Sequence, residues 1–164
     1  MPRLKINILF IAMLTSFTAC AQQHDIVSLT PGTDNSISTS GIEKEILGYI
    51  NQYRKSIGKN SLQMIDAASK QAAMHSADMA KGKTPFGHNG FEDRVIKIGV
   101  YLGSVHGAAE NVAFGQLTAR EVVDGWLNSP GHKKNIQGDY TFTGIGVAKD
   151  KMGNIFFTQI FLKK

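Results

Sequence analysis

Three short segments place groups capable of acid–base or ligand chemistry beside small, conformationally permissive residues: Gly87-His88-Asn89-Gly90, Ala109-Glu110-Asn111-Val112-Ala113 and Trp126-Leu127-Asn128-Ser129-Pro130-Gly131-His132. Two neutral imidazoles and one carboxylate are a set that can hold a divalent cation such as zinc, with water completing the shell. The same trio can instead hold a water or polarise a ligand group, because histidine titrates near neutrality and a neighbouring glutamate raises its proton affinity. Spacing alone does not choose between these chemistries. His88, Glu110 and His132 lie far apart along the chain, without the helical His-Glu-x-x-His arrangement that marks a metal by sequence.

Other chemistry-bearing residues have plainer explanations. Glu121 closes a capping box with Thr118, in which hydroxyl and carboxylate satisfy reciprocal backbone amides. Trp126 sits on an apolar helical face and reads as core. His75, in an alanine-rich helix, and His106, in a glycine-bordered loop, read as surface or supporting residues, and Asn111 as a fixer of backbone. Lys133 and Lys134 read as a solvated helix face. There is no Gly-x-Ser-x-Gly elbow, no cysteine beyond position 20, and no third residue evidently placed to orient either imidazole as a general base. Ser104 and Ser129 are not singled out by their surroundings. Phosphate-cradling glycine loops are also missing, and the glycines read as turn and strand-edge residues.

The elements that must position the trio follow from periodicity. Ile42, Ile46, Tyr49, Ile50 and Tyr53 recur at three- and four-residue spacings, predicting an amphipathic helix that Gly58 stops. A second helix is predicted over Asp66–Ala80, ended by Gly82 and Pro85, and a short third over Glu92–Ile98. A fourth follows the capping box and ends at Asn128-Ser129-Pro130-Gly131. The runs 144–148 and 155–162 are β-rich and flank the turn-forming stretch Lys149–Asn154, predicting an antiparallel hairpin, with a further strand around 110–114. Helices first and strands last suggest a mixed α/β layer structure.

The 164 residues are 42% apolar and 19% charged, which suits one domain with one core. The net charge is +5, two units of it in Arg3 and Lys5, too mild to argue for nucleic acid. Those two cations precede an apolar run, 6–17, too short to span a bilayer comfortably. Thr18 and Ala19 then lead into Cys20, the only cysteine in the chain. This placement resembles a bacterial lipobox, with Phe17 where leucine is usual. The resemblance implies a signal peptide over 1–19, a lipidated Cys20 whose acyl chains anchor the protein to a membrane, and export to the cell envelope. Residues 20–40, rich in Gln, Ser, Thr, Asn and Asp with Pro31, Gly32 and His24, read as a polar tether, leaving 41–164 as the domain.

Asn51 and Arg54 on the first helix, the Ala/Met-rich second helix, the His88 loop, Glu-Asn-Val-Ala at 110–113, Trp-x-x-Ser-Pro-Gly-His at 126–132, and Gly-Ile-Gly-Val followed by Phe-Thr-Gln-Ile-Phe together resemble the CAP/SCP superfamily in its cysteine-free bacterial branch. The resemblance spans about residues 42–164. It implies an α/β fold, a three-layer α-β-α sandwich with a small, mostly antiparallel central sheet, and a cleft lined by His88, Glu110 and His132. A second cleft glutamate of the family pattern would fall in 127–129, where this chain has Leu-Asn-Ser. Losing that carboxylate weakens any cation site. The expectation is therefore a monomeric, non-enzymatic envelope module that binds a small or lipid-like ligand in the cleft, with His88 and His132 as metal ligands if zinc or another divalent cation takes part. The alternatives are a hydrolase, for instance a peptidase, in which Glu110 or a histidine activates water, and an interaction module that meets a protein through its loops.

Overall fold

The structure is a computed structural model and describes residues 39–164; the expected signal peptide, Cys20 and most of the tether lie outside the described residues. Nine elements follow in the order α1 (Thr39–Ser56), β1 (Gln63–Met64), α2 (Asp66–Ala80), α3 (Phe91–Leu102), β2 (Gly107–Phe114), α4 (Ala119–Asn128), α5 (Pro130–Gln137), β3 (Phe142–Lys149) and β4 (Ile155–Lys163). The strands form one sheet in the order β1-β3-β4-β2, antiparallel except for the short β1–β3 pair. This is the expected three-layer α-β-α sandwich. Among the described residues no helix is long and apolar enough to cross a membrane.

Strand alternation assigns the layers. On β4, Phe157 and Phe161 face the larger cluster built by Ile46 and Ile50 of α1, Val122, Val123 and Trp126 of α4, and Ile136 of α5. Ile160 and Leu162 face the other way, onto Ala68 and Ala72 of α2 and Ile98 of α3. Residues 155–162 are all buried, as a strand covered on both faces must be. These apolar clusters draw on residues 42–162, so the described domain carries its own core.

Gly144 and Gly146 are not strand-edge residues, contrary to the sequence expectation. Both lie within β3, where α2 presses onto the sheet: a Cβ at Gly144 would lie 2.1 Å from the backbone of Ala68, and one at Gly146 2.0 Å from that of Ala73. Small residues on both elements permit this approach, and Ser76 Oγ completes it by donating to the Gly146 carbonyl (2.9 Å). The Thr118–Glu121 capping box is present, with Glu121 N donating to Thr118 Oγ1 and Thr118 N to Glu121 Oε2.

The remaining differences are of extent. Helix α1 begins three residues before Ile42, and α3 runs four residues past Ile98. The sequence reading stopped the fourth helix at Ser129-Pro130-Gly131. The chain instead starts a new helix there, because proline is accommodated at a first helical position whose N–H would be unpaired anyway. Arg54 is almost fully buried and donates to four carbonyls, of Asn60, Ile136, Gly138 and Tyr140, tying α1 to the end of α5 and the loop after it.

Candidate functional site

Strand β2 is an edge of the sheet, and the candidate residues gather along it. Alternation points Glu110 to the α2/α3 side and Asn111 to the α4/α5 side. Glu110 pairs in register with Ile160, and its side chain is 1% exposed. Such a carboxylate must have partners. Arg94 of α3 supplies them: its Nε donates to Oε2 (3.0 Å), and its Nη2 donates to Oε1 (2.8 Å) and Oε2 (2.7 Å). A two-pronged guanidinium clamp of this kind fixes orientation as well as charge.

The same carboxylate meets His88, whose Nδ1 lies 3.0 Å from Glu110 Oε1. A carboxylate clamped by a guanidinium is ionised and can only accept, so Nδ1 carries the proton and donates. The other ring nitrogen, Nε2, takes no part in this contact, on a side chain that is 52% exposed. The loop bearing His88 is held at two further points. Nε2 of His75 donates to the Gly87 carbonyl (2.7 Å), and Arg94 Nη1 donates to the Asn89 carbonyl (2.8 Å). His75 is thus a buried loop anchor. Burial lowers its proton affinity, against the opposing effect of the Gly87 carbonyl.

His132, in the first turn of α5, approaches from the other face of the sheet. Asn111 Nδ2 donates to the His132 carbonyl (3.2 Å), and Asn135 Nδ2 donates to Asn111 Oδ1 (2.9 Å) and to the Glu110 carbonyl (3.2 Å). Trp126 Nε1 donates to the Val112 carbonyl (3.3 Å). The carbonyls of Glu110 and Val112 are therefore capped by side chains, which blunts the exposed strand edge. Burial lowers the proton affinity of His132, and the nearby charge of His88 lowers it further. His132 is a neutral imidazole at neutral pH.

The structure therefore brings Glu110 and His88 into direct contact and sets His132 within electrostatic reach of His88, without a hydrogen bond from either residue to the His132 ring. His132 lines a groove of about 350 Å³ together with Phe86, Val112, Phe114, Val122 and Trp126. His88 borders a separate hollow with Phe91 and Glu92. His106 is exposed in the loop before β2.

Both Glu110 oxygens are occupied by Arg94 and His88, leaving two imidazoles as donors. Among the described residues no group of three or more His, Cys, Asp or Glu side chains is placed to hold one metal ion. This falls short of the three or four protein ligands of a resident zinc.

Arg94 was missed by the sequence reading. Its signal was present, since Phe91, Arg94, Ile98 and Leu102 form the helical stripe of α3 that packs inward, and a charged residue on such a stripe must find a buried partner. A further correction concerns His88. The sequence offered no group to orient it, yet Glu110 does so.

The fold is that of a small α-β-α domain, and comparison with known proteins identifies the family. The cysteine-rich secretory protein (CAP) family model matches residues 47–161, and the chain belongs to that family. It is 39% identical over 132 residues to YkwD, an uncharacterised protein of Bacillus subtilis, covering 77% of this chain and 49% of that one. The chain thus spans about half the length of this relative. An outer surface protein of Borrelia burgdorferi superposes with a TM-score of 0.66 at 26% identity, over 78% of this chain and 96% of that one. An extracellular SCP-domain protein of Bacillus anthracis gives 0.67 at 27% identity, over 77% and 41%.

Proposed function

We propose that this CAP domain is a binding module of the bacterial cell envelope, exported and lipid-anchored through Cys20, whose groove lined by His132, together with the hollow bordered by His88, captures a small amphipathic, lipid-like ligand. The observation that carries this reading is the clamp on Glu110. A general base needs a lone pair that reaches substrate or water, and Arg94 and His88 use both oxygens of this carboxylate. Glu110 orients His88 instead. A fixed imidazole nitrogen and a second, neutral imidazole beside aromatic walls give the few placed polar groups and apolar lining that small-molecule sites combine. Export is supported by the extracellular and outer-surface relatives and by the lipobox-like Cys20. Zinc enters only as a weak, exchangeable guest of His88 and His132, with water or ligand oxygens filling its shell.

Binding of a fluorescent fatty acid to the purified domain tests this. His88→Ala/His132→Ala is expected to weaken binding at least tenfold, the loss of about two hydrogen bonds at 1 kcal/mol each, with melting temperature retained. Unchanged affinity removes the ligand reading. The hydrolase reading draws on one specific observation, that a carboxylate–imidazole pair is the orienting half of a catalytic triad. Among the described residues no serine or threonine hydroxyl hydrogen-bonds to either ring. Turnover of an ester or peptide panel that disappears in His88→Ala would establish catalysis in place of binding.

A further inference from the structure

One pole of the sandwich combines exposed apolar side chains with lysines. The C-terminus of α2, the end of β2 and the β3–β4 turn meet there, since Phe114 and Ala148 both pair in register with Phe156, and Lys149 with Ile155. Helix α1 starts at the same pole, because Val147 N donates to Glu43 Oε1 one turn into that helix. Met152 at the tip of the turn is 87% exposed, Phe86 is 55% and Phe114 is 46%, with Leu117 three residues further on at 64%. Phe114 packs on Phe156 (ring centroids 4.7 Å) and Phe86 on Phe114 (6.3 Å). Two adjoining hollows share the end of α2: one of about 520 Å³ among Met79, Pro85, Phe86, Phe114 and Phe156, and one of about 560 Å³ between Lys81 and Lys149–Met152.

The cations here are Lys81, Lys83, Lys149 and Lys151. The acids of this pole are fewer and are turned inward or paired, though Asp150 stays ionised and Asp78 also engages Lys83. Asp78 faces Lys83 at 3.8 Å, and Asp150 accepts from Met152 N, Asn154 N and Asn154 Nδ2 inside its own turn. Glu43 is held by Val147, and burial raises its pKa.

We propose that this pole docks onto an anionic lipid bilayer, with Met152 and the neighbouring apolar side chains entering the headgroup boundary and the lysines meeting lipid phosphates. Lysine argues for lipid over a protein partner. It is depleted at protein interfaces, whereas its long apolar stem and hydrated ammonium suit a membrane surface. Apolar tips ringed by lysines have the chemistry of interfacial anchors. The proposal does not depend on what the groove binds.

Sedimentation with vesicles tests it, using residues 39–164, which carry the complete described core and lack Cys20. Binding is expected to phosphatidylcholine vesicles containing 30% phosphatidylglycerol, to weaken with salt, and to be negligible with phosphatidylcholine alone. Lys149→Glu/Lys151→Glu is expected to lower partitioning tenfold or more, and Met152→Asp several-fold, both with unchanged melting because these side chains are exposed. Phe86 and Phe114 are left intact, since they also wall the groove. Val100→Asp is the control: it is 79% exposed in the last turn of α3, at the opposite end of the sheet, and is expected to change nothing. No binding to anionic vesicles, equal binding by the lysine variant, or loss in Val100→Asp overturns the proposal.

Discussion

Replacing Arg94 by alanine strips Glu110 of its only permanent cation. The carboxylate is 1% exposed and Arg94 itself 9%, so water cannot fill the place of the guanidinium without opening the α3–β2 contact. His88, whose side chain is 52% exposed, touches only one of the two oxygens and does not replace the guanidinium. Breaking a buried ion pair from one side costs about 3–5 kcal/mol, because the remaining charge is uncompensated. For a domain of about 126 residues, an unfolding entropy near 2.1 cal/mol/K per residue converts this to a fall in Tm of about 11–19 °C. Glu110→Gln in the Arg94→Ala background removes the stranded charge and is expected to recover more than half of that fall. Thermal melts by circular dichroism of wild type, both single variants and the double variant form the cycle. If Arg94→Ala melts within about 3 °C of wild type, or the two effects add, Arg94 is not the partner that makes Glu110 tolerable in the interior.

Two further outcomes follow from the same structure. Gly146→Ala puts a methyl into the backbone of Ala73, which has no flexible side chain to yield, and is expected to cost about 3 kcal/mol, read as a lower urea midpoint; an unchanged midpoint would show that α2 does not press on β3 as described. Burial lowers the proton affinities of His75 and His132, so the unfolded chain binds more protons in mild acid; their contribution to stability is complete above the ordinary histidine value of 6.5 and is lost as pH falls below it toward the lowered folded values. Tm is expected to drop between pH 7.5 and 5.5, with a smaller drop in His75→Gln, and an identical pH profile for that variant would refute buried His75 as a source.

The helical periodicities were legible because they are local: α2 falls on the expected residues, and the Thr118–Glu121 box marks the start of α4. The order of the family motifs carried the sandwich and brought out His88, Glu110 and His132. Long-range consequences were harder to see. Two glycines inside a strand carry no local sign that they face a helix, and Gly144 and Gly146 are explained only by Ala68 and Ala73 on a different element. The role of Glu110 depended on a residue 16 positions earlier, Arg94. The contacts of that carboxylate with Arg94 and His88 could not be read from its own neighbours in sequence. Asn135, which laces α5 to β2, was hidden because its partners, the Glu110 carbonyl and Asn111, lie on another element.

The account's central claim is that folding brings His88 and His132 from opposite faces of the sheet edge to one shared site. The direct test is the titration of His132 by NMR in wild type and in His88→Gln. Burial does most to lower the proton affinity of His132 and the charge of a protonated His88 adds to it, so removing His88 should move the His132 curve to higher pH. A His132 curve that stays in place when His88 is gone would mean the two rings do not sense each other, and that no common site exists.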